Sequence, residues 1–153
     1  EAAAAAERAA AVRSAVSSLR ASTASGGSSQ GIPLLLRVTV ISAANLRRTD
    51  WVGRKAGSKF CDPYCICSIP GKTESGFTTQ VVPSTLAPMW NHDVVINSYT
   101  LGDSLQFVVK DEEMFKDQLL GKATLPYSDD LYETGFEGDL PLEVEGGAGT
   151  AGE

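Results

Sequence analysis

The sequence predicts an all-β domain: an antiparallel β-sandwich of seven to eight short strands, preceded by an Ala-rich N-terminal helix. From residue 32 onward, short apolar runs at 33–42, 64–69, 77–82, 90–97, 104–110, 119–125 and 139–145 alternate with spacers rich in Gly, Pro, Asp and Ser. No helical periodicity lies between them, which excludes a helix pair or α/β layering. Hydrophobic residues at 42% and charged residues at 21% of 153 are the values of one ordinary globular domain. No window approaches the ~18 apolar residues of a membrane-spanning helix. Contact with a membrane surface stays open; a helical crossing does not.

The elements follow in order. Residues 1–24 are rich in Ala with Arg8, Arg13 and Arg20 interspersed, and Ala is the best helix former. Ala5, Ala9, Val12, Val16 and Leu19 would make a thin apolar stripe on a helix over about residues 1–21. Such a stripe buries little, so the helix is expected to dock on something, with Val12, Val16 and Leu19 as a protein interface. The same composition also fits an organelle targeting remnant. The chain opens on Glu rather than Met, as expected of a processed or partial chain. Residues 25–31, Ser-Gly-Gly-Ser-Ser-Gln-Gly, read as a flexible linker. The sandwich is assigned to 32–145, and 146–153 to a mobile Gly-rich tail.

Net charge is −6, but unevenly spread: residues 1–122 carry all 13 Lys and Arg against 11 acids, and 123–153 carry eight acids with no Lys or Arg. Nucleic acid is excluded as a main partner, since a phosphate backbone wants a clear basic excess. Cys61, Cys65 and Cys67 are an odd set within seven residues, which fits no disulfide framework. They read as reduced, buried small hydrophobes in a reducing compartment. A zinc site with His92 would need a fourth ligand and looser spacing.

Carboxylates cluster where strands end. The stretch from Leu46 to Phe60 contains Asp50 and exits at Asp62, and the run after 105–110 reads Asp111-Glu112-Glu113-Met114-Phe115-Lys116-Asp117. Converging carboxylates repel unless a hard cation neutralises them, and calcium accepts several oxygens from loops. The second run lacks the EF-hand pattern. The frame around these acids is more specific: Asp62-Pro63-Tyr64, then Thr85-Leu86-Ala87-Pro88-Met89-Trp90-Asn91, then Leu105–Asp111, then Asp117-Gln118-Leu119-Leu120-Gly121. This order resembles the C2 domain, the calcium- and phospholipid-binding module first recognised in protein kinase C, over residues 32–145.

The resemblance implies an eight-stranded Greek-key sandwich whose end loops bind calcium between carboxylates and dock on anionic phospholipid. It implies Asp50, Asp62, Asp111, Glu113 and Asp117 as the metal ligands. Met114 and Phe115 stand where the family inserts shallowly into lipid. Three features depart from the family: Asp50 and Asp62 lie about twice as far apart as usual, Glu113 replaces Asp, and the acidic loop is one residue short before Gly121. The inserted stretch carries Arg47, Arg48, Arg54, Lys55 and Lys59 with Trp51. Each basic residue near an anionic surface is worth about 1 kcal/mol, and Trp favours the headgroup region. Cys65 and Cys67 match inward positions, which turns Ile66 outward as a candidate protein contact, and Trp90 is expected in the core.

Two functions follow. One is a non-catalytic, calcium-responsive module recruited to an anionic membrane surface. The other is a calcium-independent structural subunit or adaptor within a larger, membrane-bound assembly. No Ser/His/Asp arrangement is recognised around His92, and no small-molecule substrate is expected. The expected setting is intracellular and peripheral to a membrane, in the cytoplasm or an organelle interior such as a plastid. With seven strands counted where the fold has eight, an open sheet edge is expected, filled by a partner or by part of 22–32.

Overall fold

The computed structural model describes residues 10–21, 33–46, 61–128, 131 and 133–143. Two four-stranded antiparallel sheets face each other. The strands are β1 (Ala11–Ala21), β2 (Pro33–Ala44), β3 (Pro63–Ile69), β4 (Lys72–Thr78), β5 (Met89–Thr100), β6 (Leu105–Asp111), β7 (Gln118–Leu125) and β8 (Phe136–Pro141). One sheet has the order β5-β2-β1-β8 and the other β4-β3-β6-β7. The all-β sandwich expected from the spacing of apolar runs is the observed architecture.

The expected helix is corrected. Residues 11–21 form strand β1, not a helix, and β1 lies inside its sheet, paired to β2 on one side and β8 on the other. Residues 1–9 lie outside the described residues. The physical reason is visible in the spacing. Val12 and Val16 are four apart, and four is even, so both point to one face of a strand as well as of a helix. Between them Ser14 is also fully buried, whereas Arg13 is exposed, which is the period of two. Hydrogen bonding along both edges outweighs the small helix preference of Ala. Val12 and Val16 are therefore core residues, 0% and 2% exposed, and not an outer interface; Leu19 lies in β1 with its side chain outside the described atoms. The eighth strand thus comes from the chain itself, upstream of 22–32, and it fills the middle of a sheet and not an open edge.

Strand alternation sets the core. Leu36, Val38 and Val40 of β2 face Cys65 and Cys67 of β3 and Phe107 and Val109 of β6, all at most 1% exposed. The three cysteines are reduced and buried, as expected, and burial pushes the Cys67 thiol up to about 12. Trp90 is in the core, its indole N–H donating to the Pro63 carbonyl at 3.3 Å. The runs at 33–42, 64–69, 90–97, 104–110 and 119–125 fall on strands, whereas β4 (72–78) overlaps the expected 77–82 at only two residues and β8 (136–141) lies three to four residues before the expected 139–145.

Two glycines are required by close approach. A Cβ at Gly121 would stand 2.8 Å from Leu142 Cβ. Gly135 has φ +83° and would put a Cβ 2.8 Å from the Val16 carbonyl oxygen, so the turn entering β8 can lie against β1 only without a side chain there. Lys72 joins the sheets at the far end, its Nζ donating to Ser98 O (2.8 Å), Thr100 Oγ1 (3.0 Å) and Asp103 Oδ2 (2.7 Å). On the outer face, Arg13 bridges Asp139 at 3.1 Å and Glu137 at 3.5 Å, and Arg37 meets Asp93 at 3.6 Å. Such exposed pairs contribute about 1 kcal/mol or less each.

Candidate functional site: the acidic loop end

The site is built where β3 begins and β6 ends. Pro63 and Asp111 are register partners, so Asp62 and Asp111 come side by side. The Asp62 N–H donates to Asp111 Oδ1 at 2.9 Å, and the Glu112 N–H donates back to the Asp62 carbonyl at 3.0 Å. Asp111 is buried at 3% exposure. Asp62 is half-buried, and its Oδ1 accepts the Ser84 N–H at 2.8 Å. Ser84 holds φ 58°, a left-handed conformation uncommon for a residue with a side chain. The segment 79–88 is laid along the same end by Thr79 N–H to Cys65 O (2.9 Å), Val82 N–H to Pro63 O (3.0 Å) and Thr85 N–H to Cys61 O (2.8 Å). Each of the two aspartates therefore also organises backbone.

The loop between β6 and β7 turns on Asp117. Its Oδ1 accepts the Glu113 N–H at 3.0 Å, and its Oδ2 accepts the hydroxyl of Tyr64 in a short hydrogen bond. The Tyr64 hydroxyl and the Glu113 amide, with the Lys110 charge nearby, hold the Asp117 carboxyl below its usual value. Burial first, then the hydrogen bond and negative charge of Asp117, push Tyr64 up to about 12. Tying the base of the loop leaves its tip outside: Met114 is 86% exposed and Phe115 94%.

The five ligand positions implied by the sequence are thus distributed as follows. Asp62, Asp111, Glu113 and Asp117 all sit at one end of the sandwich. Asp50 lies outside the described residues, as do Arg47, Arg48, Trp51, Arg54, Lys55 and Lys59. Among the described residues no three His, Cys, Asp or Glu side chains form a group that could hold a metal. Oxygen donors of this kind suit calcium, and Asp62 and Asp111 adjoin. Asp117 accepts the Tyr64 hydroxyl and the Glu113 N–H. His92, the ligand considered for zinc, instead stacks on Phe77 with ring centroids 5.5 Å apart. Ile66 is partly covered and paired across the sheet with Val108 and Thr78. Among the described residues no helix is long and apolar enough to cross a membrane.

Tyr64 is the residue of this loop end whose partner the sequence does not reveal. The Asp-Pro-Tyr motif was visible, but the partner of its hydroxyl depends on register: Tyr64 lies opposite Lys110, and Asp111 opposite Gln118, which brings Asp117 within reach. The raised tyrosines give a test. A tyrosine that resists ionisation stabilises the fold fully below pH ~10, its unfolded value, and this is lost as pH rises through the folded value. Tyr64 and Tyr99 are both pushed up to about 12. Absorbance titration of tyrosinate is expected to show two late tyrosines in the folded chain, stability falling between pH ~10 and 12, and normal titration in denaturant. Normal titration in the folded chain would contradict the Tyr64–Asp117 bond.

The two-sheet topology, the paired acids at one end and the protruding apolar loop tip define a C2-type sandwich. A C2 domain model matches residues 34–142, and the chain belongs to the C2 domain family. That match begins at Leu34, so it leaves out β1. The chain is 32% identical to Tricalbin-1 of Saccharomyces cerevisiae over 113 residues, 72% of this chain and 9% of that protein. It is 29% identical to Synaptotagmin-4 of Arabidopsis thaliana over 105 residues, 67% of this chain and 17% of that protein. The chain therefore spans a small part of the curated relatives it matches. Among solved structures, the RIM C2A domain from Drosophila superposes with TM-score 0.64 at 15% identity, covering 88% of this chain and 98% of that one, a likeness of fold.

Proposed function

We propose that this C2 domain is a non-catalytic module that docks on anionic phospholipid through its acidic loop end and associates peripherally with a membrane. The observation that carries this reading is the tip of the β6–β7 loop. Two large apolar side chains, Met114 at 86% and Phe115 at 94% exposure, stand next to carboxylates, a placement that water alone does not favour. Calcium would be held by Asp62 and Asp111 together with Asp50, cancelling the charge that otherwise opposes an anionic surface. The basic stretch from Arg47 to Lys59 adds attraction for the same surface.

Calorimetric titration with calcium, followed by co-sedimentation with phosphatidylserine vesicles with and without chelator, tests this. Asp62→Asn and Asp111→Asn are expected to remove the calcium heat and at least tenfold of the calcium-dependent pelleting. The fold should survive, because an amide oxygen can still accept the Ser84 and Asp62 N–H bonds. Absence of heat and of calcium-dependent pelleting in the unaltered chain would reject the calcium reading. A second reading, a calcium-independent adaptor in a larger assembly, is supported by one observation: both oxygens of Asp117 already accept hydrogen bonds within the chain.

A further inference from the structure

Both arms of the β6–β7 loop are tied to one short segment, Asp62-Pro63-Tyr64. On the β6 side, the Asp62 N–H donates to Asp111 Oδ1 at 2.9 Å, and the Glu112 N–H donates to the Asp62 carbonyl at 3.0 Å. On the β7 side, Asp117 Oδ2 accepts the Tyr64 hydroxyl. The segment is itself fixed. Pro63 is fully buried, and its carbonyl accepts the Val82 N–H at 3.0 Å and the Trp90 indole N–H at 3.3 Å. Asp117 Oδ1 then accepts the Glu113 N–H at 3.0 Å. That bond closes the loop beneath Met114, Phe115 and Lys116, which form a bend at its tip.

We infer that Asp62-Pro63-Tyr64 is the base that presents the apolar tip: the Tyr64 hydroxyl, acting through Asp117, holds Met114 and Phe115 in the outward arrangement that meets lipid before lipid arrives. This rests on the proposed docking on phospholipid and deepens it by naming what positions the contact. Met114 and Phe115 are 86% and 94% exposed, so packing of their side chains does not shape the bend. Its shape comes from the hydrogen bonds at its two ends, and a hydrogen bond to a carboxylate is among the stronger kinds. A tip ordered in advance meets a surface without the cost of ordering on contact. Tyr64 is thus a positioning residue, acting through Asp117 and not on lipid.

The test compares the 153-residue chain with Tyr64→Phe, with Met114→Ala plus Phe115→Ala, and with all three changes together. Each is sedimented with phosphatidylserine vesicles across lipid concentration, in calcium and in chelator, and its amide hydrogen exchange is followed without vesicles. Tyr64→Phe keeps the ring and should still melt cooperatively. It is expected to bind vesicles about three- to tenfold more weakly, because the tip must then be ordered on contact. It should also exchange the Glu113 amide several-fold faster. In the Met114→Ala plus Phe115→Ala background, the same Tyr64→Phe change should cost no further affinity, which a merely structural role would not predict. Unchanged vesicle affinity or unchanged Glu113 exchange in Tyr64→Phe overturns the positioning role alone. An equal loss in both backgrounds also overturns it, because the phenol would then be acting apart from the tip. Pelleting of the unaltered chain in neither condition overturns the docking reading and this inference with it.

Discussion

A chain that begins at Pro33 is expected not to fold. The family match starts at Leu34, so a boundary drawn from sequence similarity would discard β1 as an appendage. β1 is instead an inner strand, paired along its length to β2 and over Ala11–Val16 to β8. Its removal would leave β2 and β8 separated by about two strand spacings, roughly 10 Å. It would also uncover Leu36, Val38 and Leu140. The lost burial of Val12 and Val16 alone is worth about 3–6 kcal/mol. The ladder bonds on two edges go with it, against a total stability of about 5–15 kcal/mol for an ordinary domain. Circular dichroism and a denaturant melt decide the matter: the shortened chain should show no cooperative transition, and the chain retaining residues 10–143 should melt as one unit. A cooperative melt of the shortened chain at unchanged midpoint would refute the inner placement of β1.

Replacing Met114 and Phe115 together by Ala is expected to weaken binding to phosphatidylserine vesicles by about two orders of magnitude while leaving the melting midpoint unchanged. Both side chains are almost fully exposed, so folding gains nothing from them, whereas moving such side chains out of water is worth about 1.5–3 kcal/mol each. Each 1.4 kcal/mol is about a factor of ten in affinity; half the maximal burial of both already gives the expected loss. The readout is vesicle co-sedimentation across lipid concentration, with a thermal melt of the same samples. Unaltered pelleting would place the membrane contact elsewhere on the molecule.

Most of the sandwich was legible because its strands carry alternating apolar residues between turn residues, and Cys65–Ile66–Cys67 shows the rule plainly, buried on either side of a partly covered Ile. β1 was not, because Val12 and Val16 satisfy both periods and the Ala content tips a local reading toward helix. Ser14 between them adds to the ambiguity: a polar residue there suits the far face of a helix, yet it is buried on the valines' face of the strand. Its hydroxyl has no hydrogen-bond partner among the described atoms, an unusual state for a buried polar group. The acids of the site were legible through Asp-Pro-Tyr and the run after Lys110. What linear order could not supply was which of them already has a partner: Asp117 is bound to a residue 53 positions away, a fact of register alone. The basic stretch from Arg47 to Lys59 lies outside the described residues.

The inner place of β1 has a consequence in time. Its partner β8 lies at the other end of the domain: Arg13 and Asp139, which face one another, are 126 positions apart. During synthesis β1 must therefore wait, unpaired on one side, until the residues of β8, up to Pro141, have been made. Such long-range closure slows folding and leaves an aggregation-prone edge exposed. The two ion pairs that finally form, Arg13 with Glu137 and with Asp139, stand on the outer face of that closing seam. The closure of the domain thus depends on a pairing between its two ends, β1 with β8, that no local stretch of sequence can supply.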